Sequence, residues 1–363
     1  MTENREIAFK DGIEHITAEM NLIRIMLAEK TAKMAERFES DKSSSFRGYG
    51  ISPDEAFHWL KQADENPGVV APENSGLTGI ISKRLEESKQ EGIYLPLVKL
   101  GQAFGLSRLE IKILLTCLLP EFYPGFSKVF GFLQDDAALQ YPSIGFIMEL
   151  YCKNQRERGF AWDIFHSGSK LRSWELLVPF NNDIQLPLLK KAYRIDERIV
   201  TFLMGSTRFD GRIEETAEIS YPTGGSHGLN YKPAFENIVK SVMEGRECCL
   251  VTLAGNNIEG AYGFAADTAA KLGWNLVKVP LSFIFRQNEW DLKNINILLR
   301  EAVLLPAVLL FYGDRSVQSE SNVDHIPLLK LFARKGILIF FQGNISAGLP
   351  SNLRLCILCQ GNR

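Results

Sequence analysis

The chain has 363 residues, more than one ordinary domain and most simply two, at roughly 150 residues per domain. A 45% hydrophobic and 23% charged composition with mean hydropathy of −0.06 excludes a largely disordered chain. Forty-one Lys+Arg against 43 Asp+Glu give a net charge of −2, without the basic excess usual in proteins devoted to neutralising phosphates.

In chain order, apolar residues first recur at Ile13, Ile16, Met20, Ile23, Leu27 and Met34, which predicts a leading amphipathic helix over residues 7–38, packed on its own domain. After a polar break at Ser40–Ser45, Ser52 with Glu55 forms a capping box and Pro53 suits a first helical position, so a short helix to about Ala63 follows. Residues 76–205 read as a helical bundle. Leu95–Phe104 is helical, Gly105-Leu106 is a turn, and Ser107 with Glu110 caps an apolar helix over Leu109–Leu119, the outline of a helix-turn-helix. Pro142–Tyr151 supplies another buried helix, and Trp174-Glu-Leu-Leu-Val a short strand or wing. The glycine-rich, acidic residues 206–231 read as a linker.

Beyond 231 the rhythm changes. Apolar runs at Cys248–Leu253, Ala307–Tyr312 and Gly336–Phe341, with a further strand candidate at Asn275–Val279, alternate with helices at Phe264–Leu272, Trp290–Val303 and Leu328–Arg334. That alternation means a parallel sheet covered on both faces. The fold class is therefore multidomain α plus α/β: a helical domain over 1–205 and an α/β domain over 232–363.

No stretch approaches the ~18–20 apolar residues of a membrane span, and the charged N-terminus lacks a signal-peptide core, which points to the cytoplasm. Cys117, Cys248 and Cys249 lie in apolar runs and read as small buried hydrophobes. Cys356 and Cys359 form one CxxC without the further ligands that zinc needs, so no metal site is expected.

The chemistry-bearing stretch follows the first apolar strand. Gly255-Asn256-Asn257-Ile258-Glu259-Gly260-Ala261-Tyr262 has the glycine spacing of a phosphate-binding loop, G-x-x-x-x-G-K-[ST]. The glycines fit and the side chains do not. Ala261 stands where a lysine would reach the phosphates, and Tyr262 where a small hydroxyl would hold Mg²⁺. Glu259 adds a negative charge to a loop meant for an anion; unit charges ~4 Å apart interact by about 4 kcal/mol at an effective dielectric of ~20. The strand Val308–Phe311 is followed by Tyr312 and Gly313 instead of metal-positioning acids. Asp314 arrives late, and reads as a cap in preference to a catalytic carboxylate. Asn344 occupies the place of a γ-phosphate sensor, or of a turn former beside Gly343.

Several blocks resemble a known family: Phe46-Arg-Gly-Tyr-Gly-Ile-Ser, Leu95-Pro-Leu-Val-Lys-Leu-Gly-Gln-Ala-Phe-Gly-Leu-Ser, Leu118-Leu-Pro-Glu-Phe, Phe132-Leu-Gln-Asp-Asp-Ala, Pro187-Leu-Leu-Lys-Lys and Leu298–Leu310. They are similar to the N-terminal portion of prokaryotic AAA-type ATPases with a winged-helix-like N-terminal domain, encoded beside contractile injection systems. The resemblance implies a degenerate first ATPase module, consistent with Ala261, Tyr262, Tyr312 and Gly313. The chain stops soon after the fourth predicted strand, which leaves no room for a helical lid or a second module.

Three readings follow. The first is an ATPase-like protein defective in hydrolysis, an assembly or regulatory factor that joins an intact ATPase subunit or a ring of its own. Any ATP would bind weakly at Gly255, Asn256, Asn257, Gly260, Ala261, Tyr262 and Asn344, with Mg²⁺ only if ATP binds and Asp314 as the remaining catalytic candidate. The second is a winged-helix nucleic-acid binder, disfavoured because the helix after Ser107 is too apolar to read bases. The third is an active ATPase with a noncanonical loop. Arg300 and Glu301 read as a solvated helical pair.

Overall fold

In the computed structural model, Asp11 accepts the Glu14 N–H at 2.8 Å while the Glu14 carboxylate accepts the Lys10 N–H at 2.7 Å, and this reciprocal cap starts α1 (Gly12–Ser40). The structure describes residues 8–40, 51–62, 74–180, 185–221, 240, 248–254, 258–286, 289–313, 326–332, 337–342 and 353–359. Two units divide the chain, residues 1–206 and 207–363.

In the first unit, Ile16, Met20, Ile23 and Leu27 of α1 are buried, whereas Ile13 is 47% exposed and lies off the seam that its spacing suggests. α1 packs against α2 (Pro53–Gln62), α3 (Asn74–Gln90) and α5 (Arg108–Phe122), with α4 (Pro96–Ala103) before the last of these. Ser52 caps α2 by accepting the Glu55 N–H at 3.1 Å. Gly105 takes φ +58° in the turn after α4, a left-handed conformation that suits glycine. Both halves of the Ser107–Glu110 capping box form. Cys117 is fully buried, and burial pushes its thiol far above the ordinary range, which leaves it unreactive.

α6 (Phe126–Leu133) leads to Ser143, which bridges Ala192 in an antiparallel sense. α7 (Ile144–Tyr151) and α8 (Gln155–Phe165) follow, capped by Ser143 and Asn154 and separated by residues 152–154. After α9 (Lys170–Ser173), β1 (Leu177–Pro179) and β2 (Tyr193–Ile195) form an antiparallel ribbon. α10 (Glu197–Leu203) closes the unit. The helix-turn-helix outline expected at 95–119 forms as α4 and α5, but α5 is a core helix, buried from Ile113 to Pro120. The pair that leads into the ribbon is α7–α8.

The second unit begins inside the expected linker. Asp210 caps α11 (Gly211–Glu214), and β3 (Glu218–Ser220) pairs with the sheet, so residues 207–221 are folded; residues 222–231 lie outside the described residues. The sheet also contains β4 (Cys248–Ala254) and β5 (Asn275–Pro280), which flank α12 (Ile258–Leu272). A single turn, α13 (Leu281–Ile284), and a small ribbon, β6 (Phe285–Arg286) with β7 (Glu289–Trp290), precede α14 (Leu292–Leu304) and β8 (Ala307–Tyr312). α15 (Ile326–Phe332), β9 (Leu338–Gln342) and β10 (Leu353–Cys359) complete it. β10 is a fifth parallel strand absent from the sequence reading, and it carries Cys356 and Cys359.

The strand order is β10-β4-β9-β8-β5-β3, parallel except for β3 at the edge. Period-two alternation sends Val308 and Leu310 into a core with Val251, Ala265, Ala269, Leu276, Leu338 and Phe340 under α12. Phe311, from the other set, stacks on Phe332 of α15 at 5.5 Å between ring centroids. Burial on both faces explains the uninterrupted apolar runs Ala307–Phe311 of β8 and Leu338–Phe341 of β9.

Candidate functional site

The connection leaving β4 travels across the sheet toward β5, whereas that leaving β9 travels the opposite way to β10. Where neighbouring parallel strands diverge in this way, a crevice opens beyond their carboxyl ends. In this unit that switch point lies beyond Ala254 and Gln342, next to the turn expected to receive phosphates.

The start of α12 differs from that of a helix following a phosphate cradle. α12 already starts at Ile258, so Gly260, Ala261 and Tyr262 belong to the helix, and only residues 255–257 separate it from β4. A cradle needs its intervening residues outside the helix, so that successive N–H groups converge on one anion. Gly255, Asn256, Asn257, Asp314 and Asn344 lie outside the described residues.

Tyr262 is half-buried and packs against the core under α12. Its ring lies below the ammonium of Lys278, 4.4 Å from Nζ to centroid, and the Tyr312 ring lies 5.8 Å from the same nitrogen. Lys278 stands on β5 directly across from Glu218 of β3, whose Oε2 is 2.5 Å from Nζ. Thus the positions expected to hold a magnesium-binding hydroxyl and acid, 262 and 312, present two aromatic faces to one internal cation. Hard divalent cations need oxygen donors, whereas these faces favour an ammonium by their quadrupole. Among the described residues no three His, Cys, Asp or Glu side chains gather as metal ligands.

A second charged cluster was not anticipated. Arg300 and Glu301, expected to be solvated, are 0% and 1% exposed. Arg300 Nη2 donates to Asp210 Oδ2 at 2.7 Å, and Arg212 Nε donates to Asp210 Oδ1 at 2.8 Å. Burial raises the Asp210 carboxyl, but hydrogen bonds from Arg212 and the charges of Arg212 and Arg300 outweigh it and hold the group below the ordinary carboxylate range. The partner that makes burial of Arg300 tolerable is 90 residues away, so no local pattern reveals it.

On the first unit, α8 is the exposed helix of the α7–α8 pair. Phe160 is 66% and Trp162 37% exposed, beside Arg156, Arg158, Glu157 and Asp163. Sequence reasoning missed this helix, although Asn154 and Glu157 supply a cap: Asn154 accepts the Glu157 N–H at 3.0 Å, and Glu157 accepts the Lys153 N–H at 2.7 Å.

A bridging strand position, two helices across a short turn and an antiparallel ribbon define a winged-helix protein. The model of the variant winged helix domain family matches residues 1–217, and the chain belongs to that family. No curated protein matches the chain. No helix among the described residues is long and apolar enough to cross a membrane.

Proposed function

We propose that the chain couples a winged-helix domain to an AAA-type ATPase-like module that has lost hydrolysis, and that it acts by binding protein partners as an assembly or regulatory factor. The observation that carries this reading is the Lys278 ammonium set against the Tyr262 and Tyr312 rings, where magnesium chemistry would need a small hydroxyl and a carboxylate. The strand order, with β4 between β9 and β10, and the change of direction at β4 support the ATPase-like frame. The helical start at Ile258 supports weak or absent phosphate binding. The favoured partner is an intact ATPase subunit, joined in a mixed ring, with the contractile-injection setting as its context. Steady-state ATP hydrolysis and calorimetric titration with Mg-ATP test this. The expected result is no turnover above a heat-inactivated control; turnover that depends on Asp314 would overturn it.

A second reading, nucleic-acid binding, is favoured by one observation: Arg156, Arg158 and Phe160 lie on the exposed helix α8, not on the buried α5 from which the sequence argued against it. Glu157 and Asp163 offset both arginines in charge. Gel-shift assays at low salt with wild type and Arg156→Ala separate the readings.

A further inference from the structure

A cavity of about 230 Å³ opens between α1, α3 and α5 of the first unit, lined by Glu19, Leu22, Ile23, Met26, Thr78, Lys112 and Leu115. Four of its lining side chains, Leu22, Ile23, Met26 and Leu115, are apolar, and the others carry one carboxylate, one ammonium and one hydroxyl. Lys112 and Glu19 come from different helices, and among the described residues they form no direct ion pair with one another. Among the described residues, Glu19 has only the His15 Nε2 within salt-bridge range, at 3.9 Å. His15 lies one turn back on the same stripe of α1, is 2% exposed, and among the described residues neither of its ring nitrogens has a hydrogen-bond partner. Burial raises the Glu19 carboxyl above its ordinary range even though Arg108 and Lys112 pull it down. Undirected packing would not gather these groups, since each under-paired polar group costs stability. Polar groups that converge on an apolar cavity are the lining expected of a small-ligand site.

We propose that this cavity binds a small zwitterion with an apolar side chain, of the class of a free aliphatic amino acid. Glu19 receives the ligand ammonium, and Lys112 receives its carboxylate. Leu22, Ile23, Met26 and Leu115 enclose the side chain. The volume lies below the roughly 300–1,000 Å³ usual for drug-sized ligands, which suits a single amino acid and not a nucleotide. The site belongs to the first unit alone and stands independently of the ATPase-like reading.

Isothermal titration of the full chain with L-leucine and L-methionine tests the assignment, beside 4-methylpentanoate, isopentylamine and glycine, which lack in turn the ammonium, the carboxylate and the apolar side chain. Saturable binding of leucine or methionine is expected, at least about tenfold tighter than each analogue, because each removes one complementary group. Glu19→Gln and Lys112→Met are each expected to weaken it by at least about tenfold. Glu19→Gln is also expected to raise the thermal midpoint at pH 7, because it removes a carboxylate whose charged form burial disfavours. That combination separates loss of a ligand contact from loss of fold. No binding at about 10 mM ligand, equal binding of the analogues, or full binding by both folded variants would overturn the proposal.

Discussion

Asp210 and Arg300, 90 residues apart, meet at 2.7 Å with the side chains 4% and 0% exposed. The contact ties the residues just after Ser206 to the helix that covers the sheet. Removing one partner leaves the other charged and buried, which typically costs about 3–5 kcal/mol. Asp210→Ala is therefore expected to destabilise the second unit by about 3 kcal/mol. Urea denaturation followed by circular dichroism should show the transition of residues 207–363 move to lower denaturant while that of residues 1–206 stays in place.

His15 gives the first unit a pH dependence of its own. Burial, with the nearby Arg84 charge, lowers its pKa from 6.5 to about 4. The unfolded chain therefore takes up a proton first as pH falls, and stability present above pH 6.5 is lost between 6.5 and 4. The loss amounts to roughly 2 kcal/mol between pH 7 and pH 5. His15→Leu should flatten that slope, measured by denaturant midpoints at the two pH values. Asp210 acts in a lower window, because its depressed carboxyl pKa withholds the corresponding loss until pH falls below the ordinary aspartate range.

The Lys278 cluster is testable by a double-mutant cycle. With the Lys278 side chain 20% exposed and its ammonium 4.4 Å from the Tyr262 centroid, Lys278→Met and Tyr262→Leu should show a coupling of about 0.5–2 kcal/mol. The Glu218 side chain is 64% exposed, so Glu218→Gln should cost less, about 0–1 kcal/mol. Strictly additive Lys278 and Tyr262 effects would show that the contact is incidental.

Gly125 marks a close approach between α6 and α2. A Cβ there would lie 2.4 Å from Trp59 Cε3, and that ring also carries the Lys128 ammonium at 4.9 Å. Gly125→Ala is expected to push the indole aside, to cost about 1–3 kcal/mol and to shift the tryptophan emission. An unchanged spectrum and midpoint would refute the close packing.

Local grammar accounts for what the sequence made legible. The Ser107–Glu110 box and the Ala307–Tyr312 run need only neighbours a few residues away, and both form where expected. β10 was not legible: Arg354 interrupts its apolar pattern, and its pairing with β4 spans about a hundred residues of sequence. Burial of Arg300 depends on Asp210 in the same non-local way. Helix α8 was legible in principle through Asn154 and Glu157, which cap it. At the candidate site the missing lysine, hydroxyl and acid were readable residue by residue. The cation that faces the rings was not, because Lys278 is brought to Tyr262 only by the alignment of α12 with β5.

Where the chain is cut will decide what survives in isolation. Residues 207–217 match the winged-helix family model yet fold with the second unit. A fragment that ends at 217 carries Asp210 away from Arg300, and one that begins at 232 also strips β3 from β5. The latter exposes a row of unpaired backbone groups on an apolar sheet, a template for aggregation. Fragments divided between Ser206 and Thr207 keep both contacts and should be the soluble ones.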